Sequence, residues 1–195
     1  MKIIKILAAV LGGVALCTTL FYAYMGGFQT IEVKETAVGP LNVIVTTHRG
    51  SYSGLGPAWD RFVSQVQEAG LKECDALAFY LDPPGTPEDQ LRSVLGCRLD
   101  GLSEAERLKL SSAFPTYSLP AVPALHATFP YRNFFSYMLG PTRVYPALQQ
   151  AAAGRIEPRF GIETYGVDGR SKEIGFFLPL SGEEALVVPL ASLFQ

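Results

Sequence analysis

The chain has 195 residues, 48% of them hydrophobic and only 17% charged, with 19 Gly, 14 Pro and three Cys. Ordinary domains carry roughly 25% charged residues, so this composition excludes a disordered tail, and three Cys exclude a disulfide scaffold. Net charge is −2 and no block of basic residues occurs, which argues against nucleic acid as a partner.

Ile6 to Met25 reads ILAAVLGGVALCTTLFYAYM, without a charge. About 20 apolar residues span the hydrocarbon core of a bilayer. Phe21, Tyr22 and Tyr24 close the run, at the depth aromatic residues prefer. A cleaved signal peptide needs small residues before its cut, and Ala23-Tyr24-Met25 ends in a bulky one. A lipoprotein box needs a small residue before Cys17, and Leu16 stands there. A buried core helix is the remaining alternative, and the lack of a polar face argues against a half-exposed one. An uncleaved anchor over residues 1–28 is the expectation, contacting lipid through residues 6–25. Lys2 and Lys5 precede the run, while Glu32, Lys34 and Glu35 follow it. That bias predicts a cytoplasmic N-terminus and a periplasmic or other extracytoplasmic domain over 31–195. Removing Lys2 and Lys5 from the 16 basic residues leaves 14 against 18 acidic, a body of net charge −4.

In that body, Ile31–Lys34 and Leu41–Thr47 read as strands separated by the Gly39-Pro40 turn. Residues 57–69 place apolar side chains at 58, 59, 62, 63 and 66, a helical stripe. Asp75–Leu81 and Leu91–Leu99 read as strands around a turn rich in Pro and Gly. Leu102–Leu110 reads as a short helix, with Ser103 and Glu106 in capping-box spacing. Phe114–Pro123 reads as an extended connection. Ala124–Phe129 is a strand and Phe134–Ala151 a helix interrupted by Pro141 and Pro146. Phe160–Tyr165 and Lys172–Leu180 are strands joined at Asp168-Gly169, a hairpin signal.

The order strand–loop–helix–strand–turn–strand thus occurs twice. The expected class is α+β: duplicated βαββ units with antiparallel sheets, halves at about 31–101 and 122–181, and a cleft between them. Helices on one face of such sheets leave the other face available.

Thr47-His48-Arg49-Gly50-Ser51-Tyr52, followed by a helix with Trp59, resembles the entry of GyrI-like small-molecule-binding domains. Phe79-Tyr80-Leu81-Asp82-Pro83-Pro84-Gly85-Thr86-Pro87 resembles that family's strand and turn. Ala127–Tyr131, Arg143–Leu148 and Pro158-Arg159 are similar to segments of a testis-expressed ER-phagy receptor, which carries such a domain behind a membrane helix. The resemblance spans roughly residues 31–181. It implies the duplicated SHS2 fold with a ligand cleft between the halves. It also implies binding of a lipophilic or cationic molecule, hydrolysis of strained cyclopropane-type electrophiles, or a protein-interaction role. The receptor's disordered tail and a regulator's helix-turn-helix have no counterpart here, so neither role is expected.

Glu163 is the leading candidate, a carboxylate on an apolar strand. In a cleft it neutralises a cation or, with its pKa raised, takes a proton; the alternative is an outward-facing strand Glu. Tyr52, Phe79, Tyr80, Tyr131 and Tyr165 either wall the cleft, where aromatic faces attract cations, or pack the core. Trp59 lines the cleft or anchors its helix. His48 and His126 have no neighbouring Cys or acidic cluster, so no metal and no cofactor is expected. Cys74 and Cys97 flank a predicted hairpin and are either a disulfide or two buried thiols. Cys17 lies in the anchor.

Overall fold

The computed structural model describes residues 2–157 and 159–195, apart from the Glu183 side chain. Pro158 of the Pro158-Arg159 segment lies outside the described residues. Helix α1 (Lys2–Tyr24) has 23 residues, none of them buried. At 1.5 Å per residue it is about 34 Å long, enough to cross ~30 Å of hydrocarbon. Among the described residues it is the one helix long and apolar enough to do so. A signal sequence has the same character, whereas a core helix would be covered and this one is not.

The body begins with β1 (Lys34–Val38), β2 (Leu41–Arg49), α2 (Leu55–Glu68), β3 (Asp75–Tyr80) and β4 (Arg92–Arg98). It continues with α3 (Glu104–Ala113), β5 (Thr116–Leu119), β6 (Val122–Pro130) and α4 (Ser136–Ala152). Then come β7 (Gly161–Val167), β8 (Glu173–Pro179) and α5 (Glu183–Ala191). All eight strands join one curled antiparallel sheet in the order β1-β6-β8-β7-β3-β4-β2-β5.

Local chemistry explains most of these elements. Ser103 and Glu106 form the reciprocal capping box that starts α3. Asp168 and Gly169 both take positive φ, 47° and 69°, as the tight turn between β7 and β8 requires. Helix α2 buries Ala58, Phe62 and Val66, one residue per turn along a single stripe. Helix α4 does the same with Gly140, Val144, Leu148 and Ala152.

The sheet separates two apolar layers. One packs Phe62 and Val66 of α2, Leu110 of α3 and Val144 and Leu148 of α4 against Ile44, Leu95, Leu125, Phe129 and Phe176. The other, on the opposite face, packs Leu186 and Leu190 of α5 against Val43, Val45, Leu77, Phe79 and Ile162. The alternation of side chains along each strand sorts neighbouring residues into different layers.

Several expectations need correction. The segments read as halves do not form two layers facing a cleft. Strand β3 pairs edge to edge with β7, Ala78 opposite Glu163, so both belong to one sheet. The first strand begins at Lys34, because pairing with His126 to Val122 of β6 sets its limits. The connection 114–123 contains β5, which adds to the free side of β2. Helix α4 runs through Pro141 and Pro146. Each proline removes one helical hydrogen bond, but the buried stripe on both sides of them holds the helix to the sheet. The second face of the sheet is covered by α5, an element absent from the sequence reading.

Candidate functional site

Glu163 lies in the middle of β7, between Ala78 of β3 and Phe176 of β8. Ile162 points into the α5 layer, so Glu163 and Tyr165 point to the side of α2 and α4. Glu163 is 4% exposed. The Tyr145 hydroxyl, on α4, donates to its Oε1 at 2.8 Å. The Tyr165 hydroxyl donates to its Oε2 at 2.7 Å. The hydroxyls of Tyr165 and Tyr80 share a further hydrogen bond of 2.8 Å. A buried carboxylate is thus satisfied by neutral donors.

An aromatic shell surrounds this cluster. The Trp59 ring meets Tyr165 edge to face at 6.0 Å, and Tyr137 does so at 5.6 Å. Tyr52 meets Tyr80 edge to face at 5.3 Å and is 45% exposed, forming an outer edge. Tyr131 lies 5.1 Å from Tyr137. Such edge-to-face contacts are favourable, and the ring faces left over attract cations.

Burial drives the Glu163 carboxyl up from 4.5 to about 7, against the opposing pull of hydrogen bonds from Tyr165, Tyr145 and Tyr80. Taking a carboxylate out of water penalises its charged form, and donors to that form recover part of the penalty. The phenols of Tyr80, Tyr145 and Tyr165 are pushed well above their usual range, by burial first and the nearby Glu163 charge second. The cluster therefore holds one acid whose titration is moved toward neutral pH and three protonated tyrosines.

The structure brings Glu163, Tyr165, Tyr80, Trp59 and Tyr52 together and places Tyr131 at the edge through Tyr137. Phe79 is elsewhere. It follows Ala78 on β3, so it faces the α5 layer, stacked with Phe160 and against Tyr117. Tyr145 and Tyr137 were missed as site residues. Their signal was present: they stand eight residues apart on α4, in one row beside the buried stripe. Ser93 pairs across the strands with Tyr80 and is fully buried, and among the described residues its hydroxyl has no hydrogen-bond partner.

The other candidates hold structural places. His48 Nε2 lies 3.1 Å from the Ser51 carbonyl. His126 stacks on Phe177, with ring centres 4.3 Å apart, and burial lowers its pKa. Cys74 and Cys97 are joined as a disulfide with Cα atoms 5.1 Å apart, while Cys17 is free and exposed on α1. No group of three or more His, Cys, Asp or Glu side chains that could hold a metal occurs among the described residues.

No protein-family model matches this sequence, and no curated protein matches it. Solved structures do. The chain is similar to SAV2435 bound to tetraphenylphosphonium, with 13% identity, 79% of this chain and 96% of that one covered, and a TM-score of 0.55. It is similar to the EcmrR C-terminal domain, with 13% identity, 77% and 98% covered, and a TM-score of 0.53. Both neighbours are GyrI-like folds, so the likeness places this body in that fold. The nearer likeness to an ER-phagy receptor has no support in these comparisons and is withdrawn.

One expectation is overturned. The chain is also similar to EcmrR in an EcmrR–DNA complex, with 13% identity, 90% of this chain and 68% of that one covered, and a TM-score of 0.53. Excluding nucleic acid on net charge is therefore withdrawn. Net charge is a sum over the whole chain, whereas a nucleic-acid contact depends on the local surface presented to phosphate.

Proposed function

We propose that this protein is a membrane-anchored binding domain for a lipophilic cation, neutralised by Glu163 within the tyrosine cluster. The observation that carries the reading is the buried Glu163 carboxylate, held by tyrosine hydroxyls rather than basic side chains and walled by Trp59, Tyr52, Tyr80, Tyr137 and Tyr165. A cation entering this shell replaces lost hydration with ring faces and one fixed charge. The fold shared with SAV2435, whose structure holds tetraphenylphosphonium, supports the same class of ligand. Residues 41–98 and 122–179, each a strand, a helix and two strands, are read as the duplicated halves. Glu163 then sits on the seam between them.

Helix α1 serves as the anchor in this reading, with the N-terminus cytoplasmic and the domain outside. The Cys74–Cys97 disulfide supports an oxidising compartment. Hydrolysis with Glu163 as general base is the weaker reading. The hydrogen bonds at Glu163 come from tyrosine hydroxyls that hold the carboxylate in place, and the neighbour with a bound lipophilic cation favours binding over turnover.

Titrating the purified full chain with tetraphenylphosphonium tests the proposal. Binding is expected to tighten about 10-fold between pH 6 and pH 8, as Glu163 ionises, and Glu163→Gln should abolish that dependence. Equal affinity in both proteins at both pH values would sink it.

A further inference from the structure

The foot of α1 meets the body at one place. Phe21 and Phe135 contact edge to face, with ring centres 5.8 Å apart. The Arg132 guanidinium lies 5.8 Å from the Tyr24 ring centre. Met25 is 1% exposed, and the Arg143 side chain donates to the Gln29 carbonyl at 3.2 Å. The helix therefore enters the body through a packed junction beside the start of α4.

Around that junction apolar side chains face outward. Phe134, Phe135 and Met138 are 66%, 54% and 62% exposed, alongside Tyr24 and Phe28. The turn that presents them is well bonded. Ser136 Oγ accepts from the Arg132 N–H, and Asn133 Oδ1 accepts from the Phe135 N–H. Their exposure is thus built into the backbone. Exposed apolar side chains such as Leu108 and Val188 occur elsewhere on the body, as on most surfaces; this patch differs in being continuous with α1 through the Phe21–Phe135 contact.

We infer that Phe134, Phe135 and Met138 form a second membrane contact, seated in the interfacial layer of the bilayer that α1 spans. This rests on reading α1 as an anchor. The occupant is lipid because the patch is continuous with the apolar surface of α1. Phe135 touches Phe21 in the helix's last turns, so both lie at one depth. That depth is the headgroup boundary, where aromatic rings and nearby Arg side chains are favoured.

The contact orients the site. Tyr137, in the first turn of α4, lies in the chain between Phe134 and Met138 but packs inward, against Tyr131 and Tyr165, and Tyr165 donates to Glu163. The Tyr131–Tyr137 edge of the cluster is then held against the membrane. A lipophilic cation dissolved in the bilayer reaches it without crossing open water.

The test uses the full chain in phosphatidylcholine vesicles, in a Cys17→Ser background, with an environment-sensitive fluorophore on Met138→Cys. Brominated lipids are the quencher. Strong quenching at position 138 is expected, with none for the same probe on Leu108→Cys. Adding Phe134→Ser and Phe135→Ser should remove most of the quenching at 138. A probe at native Cys17 separates the two readings. If Cys17 is quenched and 138 is not, the second contact is overturned while the anchor stands. If neither is quenched, the anchor itself fails. A probe at 138 shielded only as protein concentration rises, with or without brominated lipid, assigns the patch to a second copy and overturns the lipid assignment.

Discussion

The Tyr145 hydroxyl donates to Glu163 Oε1 across 2.8 Å, linking helix α4 to strand β7 through the buried interior. A carboxylate 4% exposed is otherwise costly to ionise. This bond and its partner from Tyr165 bring the carboxyl to about 7 rather than higher. The pair is a titrating element whose consequences can be measured.

Glu163 makes stability depend on pH. Its folded pKa, about 7, lies above its ordinary 4.5, so the folded state holds the extra proton between those values. The stabilising effect is complete below pH 4.5 and is lost as pH rises through 7. A move from 4.5 to about 7 corresponds to ~3 kcal/mol. Urea unfolding at pH 5 and pH 8 should show wild type losing stability on this scale. Glu163→Gln, which has no proton to lose, should be nearly flat and more stable than wild type at pH 8. A wild-type profile flat over the same range removes the assignment.

Tyr145→Phe deletes one donor and keeps the ring. At pH 8, where Glu163 is charged, the loss should destabilise by roughly 1.5–3 kcal/mol, the range for a hydrogen bond to a charged group. At pH 5 the carboxyl is neutral and the loss should be smaller. The midpoint of the stability–pH curve should also shift upward, since the ionised form has lost support. Equal destabilisation at both pH values would point to packing alone.

Reducing Cys74–Cys97 should cost about 3 kcal/mol, because the bond closes a loop of moderate length in the unfolded chain. Thermal unfolding with and without reductant measures this. Alkylation of the denatured, unreduced protein should modify one thiol, Cys17, and three modified thiols would refute the bond.

Ser93→Ala removes a buried hydroxyl that has no hydrogen-bond partner among the described residues. The change should stabilise the protein by about 1 kcal/mol, since the group gains nothing in the fold for its lost hydration. Denaturant midpoints of the two proteins decide it. A loss of stability would mean the hydroxyl is satisfied in solution.

Short-range physics made part of this protein legible from its residues alone. The charge-free run over 6–25, the stripe at 58, 62 and 66, the Ser103–Glu106 box and the Asp168-Gly169 turn each depend on neighbours a few residues apart. The candidate carboxylate was legible too, because one Glu stands out in the apolar run Phe160–Tyr165. The face of each side chain was not. Asp75–Leu81 is apolar at nearly every position, so its sequence does not say that Tyr80 joins Glu163 while Phe79 turns to the α5 layer. That division follows from packing on both sides of the strand. The β3–β7 pairing, the cover by α5 and the reach of Tyr145 from α4 also bring together residues distant in the chain. Such contacts form only where whole apolar faces meet, so the tertiary structure alone decided which aromatics surround Glu163.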